Sequence, residues 1–168
     1  MPDRAPPPDD LPALKRWLAA RPDAAELQPI GIQEIVVRSN ALHGLSELLA
    51  DLDAPERVLL VLDETFYRRG GDSLKPLVHE VLSGRGRSVE PCLLAAGGDG
   101  LVHADIENVE LLRARIGARP SAVVALGSGS VCDVAKQACY LAEREDRVAT
   151  TLVLVPTAVS VTAFTSSL

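Results

Sequence analysis

Three short runs in this chain have no polar residue inside them: VLLVL at 58–62, VVAL at 123–126 and LVLV at 152–155. A strand that is apolar on both faces must be covered on both faces, as in a parallel sheet flanked by helices. Segments with helical spacing separate the runs. Periodicity predicts helices over 11–20, 41–52, 72–82, 104–116 and 130–143, and strands over 30–37, 57–62, 89–94, 122–126 and 151–155. Asn40 is the expected N-cap of the second helix, whose Leu42, Leu45, Leu48, Leu49 and Leu52 share one face. Strands alternating with helices at this spacing imply an α/β fold, a doubly wound and mostly parallel sheet with helices on both faces. The expected organisation is a Pro/Asp-rich tail and short helix over 1–25, in which Trp17 is the anchor, followed by one α/β domain over 26–168.

Composition removes several function classes. The net charge of −6, from 17 basic and 23 acidic residues, argues against a nucleic-acid groove, and Arg68-Arg69 and Arg85 with Arg87 are too short to form a basic stripe. No apolar run is long enough to span a membrane, and MPDRAPPPDD has no secretory apolar region, so a cytoplasmic location is expected. Cys92, Cys132 and Cys139 have no CxxC spacing and are read as free thiols, Cys132 and Cys139 as core residues on one helix face. His43, His79 and His103 lie in separate segments without metal-ligand spacing and are read as structural or surface residues. With 47% apolar but only 3% aromatic residues, the core must be built mainly from Leu, Val and Ala.

Ligands of such sheets bind outside the carboxyl ends of the strands. Three strand ends carry suggestive chemistry. Asp63 follows VLLVL, where a carboxylate accepts hydrogen bonds from ribose hydroxyls or else serves as a turn or capping residue. Gly127 to Asp133 is a glycine turn leading into a helix. Spacing leaves it open between a phosphate cradle and an ordinary corner that uses glycine for its positive φ, since GSGS lacks the third glycine of the dinucleotide fingerprint and the Walker lysine. Thr157, Ser160, Thr162, Thr165 and Ser166 form a hydroxyl-rich stretch after the last strand, read as a pocket for a phosphorylated ligand or as a solvated loop.

GSGSVCDVAK followed by LVLVPTAVSVTAFTSS resembles the paired glycine-turn and Pro-Thr-Ala motifs of sn-glycerol-1-phosphate dehydrogenases. These lie within the superfamily of iron-containing alcohol dehydrogenases, glycerol dehydrogenases and dehydroquinate synthases. LLVLDETFYRRGG resembles the superfamily's strand-Asp segment, and the likeness runs over roughly 30–168. It implies a Rossmann-like NAD-binding domain. Gly127, Gly129, Ser130, Val131, Cys132 and Asp133 would then hold the pyrophosphate and nearby groups. Thr157, Ala158, Val159, Ser160 and Ser166 would line the cofactor, and Asp63 would face the ribose, favouring NAD over NADP. Ser128 stands where the family usually has Gly. Thr162 and Ala163 stand where it has Asp and Gly beside the substrate.

The resemblance further implies a metal-assisted oxidoreductase acting on a polyol or phosphorylated polyol, with Zn, Ni or Fe ligands on a helical domain that would lie beyond Leu168. On that expectation the 168 residues alone are inactive, contain no catalytic or metal residue, and self-associate. The alternatives are a non-catalytic nucleotide-binding module and an NAD-using sugar-phosphate cyclase.

Overall fold

The computed structural model of the chain describes residues 5–7, 9–27 and 31–157. It divides into two units, one running to Ala41 and the other beginning at Leu42. In the first, α1 (Leu11–Ala19) starts where Asp10 accepts a hydrogen bond from the Ala13 amide at 3.0 Å, with proline in the first turn. The Arg21 guanidinium lies 5.4 Å over the Trp17 ring.

The second unit holds the sheet. Four parallel strands, β1 (Arg57–Leu62), β4 (Ser88–Leu93), β5 (Ser121–Gly127) and β6 (Thr150–Pro156), lie in the order β4-β1-β5-β6. A small antiparallel hairpin, β2 (Arg68–Arg69) and β3 (Asp72–Ser73), follows β1. Successive residues of the central strands serve opposite layers. Leu59, Val61, Val123 and Ala125 pack against α4 (Ile106–Ile116) and α5 (Gly129–Arg144). Val58, Leu60, Ala122, Val124 and Leu126 pack against α2 (Leu45–Asp51) and α3 (Leu74–Ser83). The expected two-sided winding is therefore present. Each fully buried Leu or Val contributes about 1.5–3 kcal/mol. On α5 the buried Ala135, Ala138 and Ala142 form part of its core face.

Several local expectations are corrected. Residues 31–37 form no strand: Val36 and Val37 are exposed, and no partner strand pairs with them among the described residues. Asn40 has φ of 59°, outside the extended region an N-cap needs, and the 41–44 stretch is a 3-10 turn. The helix itself starts at Leu45 after Gly44. Asp72 and Ser73 belong to a strand, because Gly70 and Gly71 both have positive φ and close a two-residue hairpin turn that pulls them back against Arg68 and Arg69. Pro76 then falls in the first turn of α3, where proline is tolerated.

Asn108, 2% exposed on α4, was not singled out by sequence, yet it fixes the loop leaving β4. Its side chain accepts from the Ala95 amide at 2.8 Å and donates to the Ala95 and His103 carbonyls at 3.0 and 3.2 Å. Asn108→Ala removes all three bonds and is expected to cost about 2 kcal/mol. Equilibrium urea unfolding checks this; a loss below about 0.5 kcal/mol, within the range of neutral surface changes, would contradict the assigned role.

Candidate functional site

Counted among the sheet strands alone, the chain first moves from β1 outward to β4, then crosses back to β5 and β6 on the other side. The reversal lies between β1 and β5, and the crevice at their carboxyl ends is where open α/β sheets take their ligands. Val61 pairs with Ala125, and extending that register by two residues sets Asp63 level with Gly127. The Thr157 amide, just past β6, donates to the Gly127 carbonyl at 2.9 Å. All three strand ends singled out by sequence therefore meet at one edge of the sheet.

Gly127 is required by proximity. A Cβ built there would lie 2.7 Å from Val131 Cβ and 2.7 and 2.9 Å from its two methyl groups. Neither Gly127 nor Gly129 has positive φ, so the corner reading, in which glycine serves the backbone angle, does not describe this turn. The close approach presses the first turn of α5 onto the end of β5. Gly129 opens the helix, and the Ser128 side chain makes no capping hydrogen bond. The first amides of a helix have no internal acceptor and carry the positive end of its dipole. The Cys132 amide donates to the Ser128 carbonyl at 3.1 Å, and its side chain is in the core, as its helix-face spacing predicts. Val131 likewise buries its side chain. Asp133 lies within 3.9 Å of Lys136 one turn on.

Asp63 is 5% exposed. Its Oδ1 accepts from the Thr65 amide at 3.1 Å and its Oδ2 from the Tyr67 hydroxyl at 2.6 Å. The Lys75 ammonium donates to the Asp63 carbonyl, lies 3.7 Å from Oδ1, and sits 5.6 Å over the Tyr67 ring. Burial raises the Tyr67 pKa, and the hydrogen bond to the Asp63 carboxylate raises it further. Tyr67 and Lys75 escaped the sequence reading, because a tyrosine five residues past a strand end and a lone lysine at a helix start have no recognisable spacing.

Beside this cluster lies a cleft of about 470 Å3, lined by Phe66, Tyr67, Arg68, Leu126, Val155 and Thr157 among others. The Thr157 hydroxyl is buried and has no hydrogen-bond partner among the described residues. A second depression, about 400 Å3 and lined by Arg113 and Asp146, is at the opposite, amino edge of the sheet, away from these strand ends. Ala158, Val159, Ser160, Thr162, Ala163, Thr165 and Ser166 lie outside the described residues.

Cys92, Cys132 and Cys139 are buried and free, as expected, and burial pushes the Cys132 and Cys139 thiols up to about 11 and about 12. His43, His79 and His103 are exposed, His103 beside Asp99 at 3.0 Å. Among the described residues no three His, Cys, Asp or Glu converge as metal ligands, and no helix is long and apolar enough to cross a membrane.

Residues 36–168 match the family profile described as iron-containing alcohol dehydrogenase. A glycerol-1-phosphate dehydrogenase [NAD(P)+] of Halalkalibacterium halodurans is 30% identical over 141 residues, which cover 84% of this chain and 33% of that protein. The chain thus spans about a third of that relative's length. Among solved structures, a 2-deoxy-scyllo-inosose synthase complexed with carbaglucose-6-phosphate, NAD+ and Co2+ aligns with TM-score 0.46 and 23% identity, over 68% of this chain and 30% of that one. The glycerol dehydrogenase of Schizosaccharomyces pombe aligns with TM-score 0.41 and 15% identity, over 68% and 25%.

Proposed function

The chain belongs to the iron-containing alcohol dehydrogenase family, and from that premise we propose that it binds a nicotinamide dinucleotide at the carboxyl edge of its sheet, as the cofactor-binding part of a dehydrogenase acting on a polyol or polyol phosphate. The observation that carries this reading is the Gly127–Val131 contact: only a residue without a Cβ lets the helix N-terminus close onto the end of β5 at the switch point. The exposed face of such a turn suits a pyrophosphate, with the amides of Gly129, Ser130 and Val131 as donors. The Thr157 hydroxyl, buried at the same edge and without a hydrogen-bond partner among the described residues, suits a ligand oxygen. When bound, the dinucleotide supplies the nicotinamide ring that takes up hydride from a secondary alcohol.

Asp133 is too close to Lys136 to act as an isolated charge, and its role in this reading is to hold that lysine near the cradle. Val131 and Cys132 act as packing residues that hold the turn against the core. The described residues do not furnish a ligand set for the metal that family members are expected to use, and no step is assigned to one.

Titration of the chain with NAD and NADP by calorimetry tests the reading, with saturable one-to-one binding expected. Ser130→Glu sets a carboxylate among the donor amides and is expected to weaken binding at least tenfold, about 1.4 kcal/mol. An acidic residue in a first helical turn favours the helix, so thermal stability should hold or rise slightly. Unchanged affinity in a folded Ser130→Glu variant would remove the pyrophosphate from this turn, and no binding of either dinucleotide would remove the proposed function.

A further inference from the structure

We propose that the outer edge of β4 is a guarded surface, which Pro91 and Arg115 close to a second copy of this chain. Without them a second copy could add its own strand to the sheet at that edge.

β4 ends the sheet on one side, and among the described residues it pairs only with β1. An edge strand offers a row of free N–H and C=O groups, a template for pairing with another chain. The register decides which residues offer them. The Ser88 amide donates to the Glu56 carbonyl at 3.1 Å, and the Leu94 amide to the Leu62 carbonyl at 2.8 Å. A strand residue turns its N–H and C=O to one side, and the next residue turns its own to the other. The backbone groups of Ser88, Glu90, Cys92 and Leu94 therefore face β1, and those of Val89, Pro91 and Leu93 face outward.

Pro91 stands in the middle of the outward row and has no N–H. A strand laid along this edge would find its ladder broken between Val89 and Leu93. The acceptor at the same position is also taken, because the Arg115 guanidinium donates to the Pro91 carbonyl at 3.3 Å. Arg115 sits in the last turn of α4 and sets a positive charge beside the edge. Two copies pairing antiparallel about Pro91 would have to free both carbonyls and bring the two guanidinium groups together, and like charges facing across a strand pair are unfavourable. The strand needs such protection. Apart from Ser88 and Glu90 its residues are apolar, and Leu93 is 53% exposed. A free edge with exposed apolar side chains is the pattern that pairs without specificity. The self-association expected from the sequence is therefore kept off this edge.

Residue-resolved amide exchange and sedimentation velocity, on the unaltered chain, Pro91→Val, and Pro91→Val with Arg115→Met, test the guard. Both substituted positions are exposed, and thermal unfolding checks that each variant is folded. In the unaltered chain the Val89 and Leu93 amides are expected to exchange at rates that do not depend on protein concentration. In the double variant these amides, and the one introduced at position 91, are expected to slow at least about tenfold as concentration rises and a dimer forms. Pro91→Val alone restores the donor but keeps the guanidinium on the carbonyl, so the same protection should need a higher concentration. Concentration-dependent protection of Val89 and Leu93 in the unaltered chain would overturn the proposal. So would folded variants whose edge amides stay unprotected at every concentration, whether or not they associate elsewhere. If the double variant does not fold, the unaltered chain and Pro91→Val still decide.

Discussion

Gly127→Ala is expected to destabilise the chain by about 3 kcal/mol, the upper end of the usual range for overpacking a core. The new methyl would lie 2.7 Å from Val131 Cβ, and that atom belongs to the first turn of α5, so it cannot swing aside as a flexible side-chain tip does. Relief has to come from the helix moving away from the sheet. Val131, Val134, Ala135 and Ala138 are fully buried on the same helix, so that movement opens the core along α5. The corresponding fall in midpoint temperature for a chain of this size is roughly 6–12 °C, read by thermal unfolding. Val131→Ala in the same chain removes the contacts to the two methyl groups but leaves the Cβ contact, so rescue should be partial; Val131→Gly removes all three at the expense of helix propensity. A double-mutant cycle showing no coupling between positions 127 and 131 would mean that the turn relaxes by another route.

Arg57→Met is the second large effect, expected at about 3 kcal/mol, and it acts at the amino edge of the sheet, away from the ligand crevice. The Arg57 side chain, 14% exposed, donates to both Glu90 oxygens at 2.9 and 3.1 Å, to the Ile116 and Arg115 carbonyls at 2.9 and 2.7 Å, and to the Ser121 hydroxyl at 2.7 Å. One guanidinium thus joins the starts of β1, β4 and β5 to the end of α4. Its loss leaves several acceptors without their donor, among them the hydroxyl of the fully buried Ser121, which keeps only its own bond to the Arg119 carbonyl. Glu90 is about a third exposed and regains water when Arg57 is gone, so Glu90→Gln, which keeps the remaining bonds, should cost less than about 1 kcal/mol.

The pH dependence separates these contributions. The hydrogen bond from Arg57 holds the Glu90 carboxyl below its ordinary range. A folded-state pKa below the unfolded one stabilises the fold above the unfolded value, and that stability is lost as pH falls through the folded value. The acid limb of the unfolding profile should therefore be shallower in Arg57→Met. Urea unfolding over pH 7 to pH 3 measures both effects, and an Arg57→Met variant with unaltered midpoints at every pH would show that the network is replaced by water.

The β-α alternation was legible because it rests on local rules. Runs such as VLLVL have nowhere to go but a doubly covered strand, and the helix pattern of VCDVAKQACYLA is periodic over several turns. Boundaries failed where a long-range partner or a special backbone angle decided. The 30–37 pattern alternates like a strand, but its described residues, 31–37, pair with no strand among the described residues. The helix expected from Asp72 loses its first two residues to a hairpin closed by two glycines. At the candidate site the polar strand ends were readable one by one, since each directly follows an apolar run. The partners of Asp63 were not. Tyr67 reaches it through an irregular turn, and Lys75 reaches it from a different element.

What the sequence determined by itself is therefore the fold class, the family motifs and the strand ends that carry polar chemistry, because each follows from contiguous residues and local periodicity. The tertiary structure alone decided two things that bear on function. It made Gly127 a matter of contact, since the distance to Val131 is a property of a helix docked on a sheet. It also showed Asp63 to be buried, with the Thr65 amide, the Tyr67 hydroxyl and the Lys75 ammonium around it, because such partners depend on which groups converge in space.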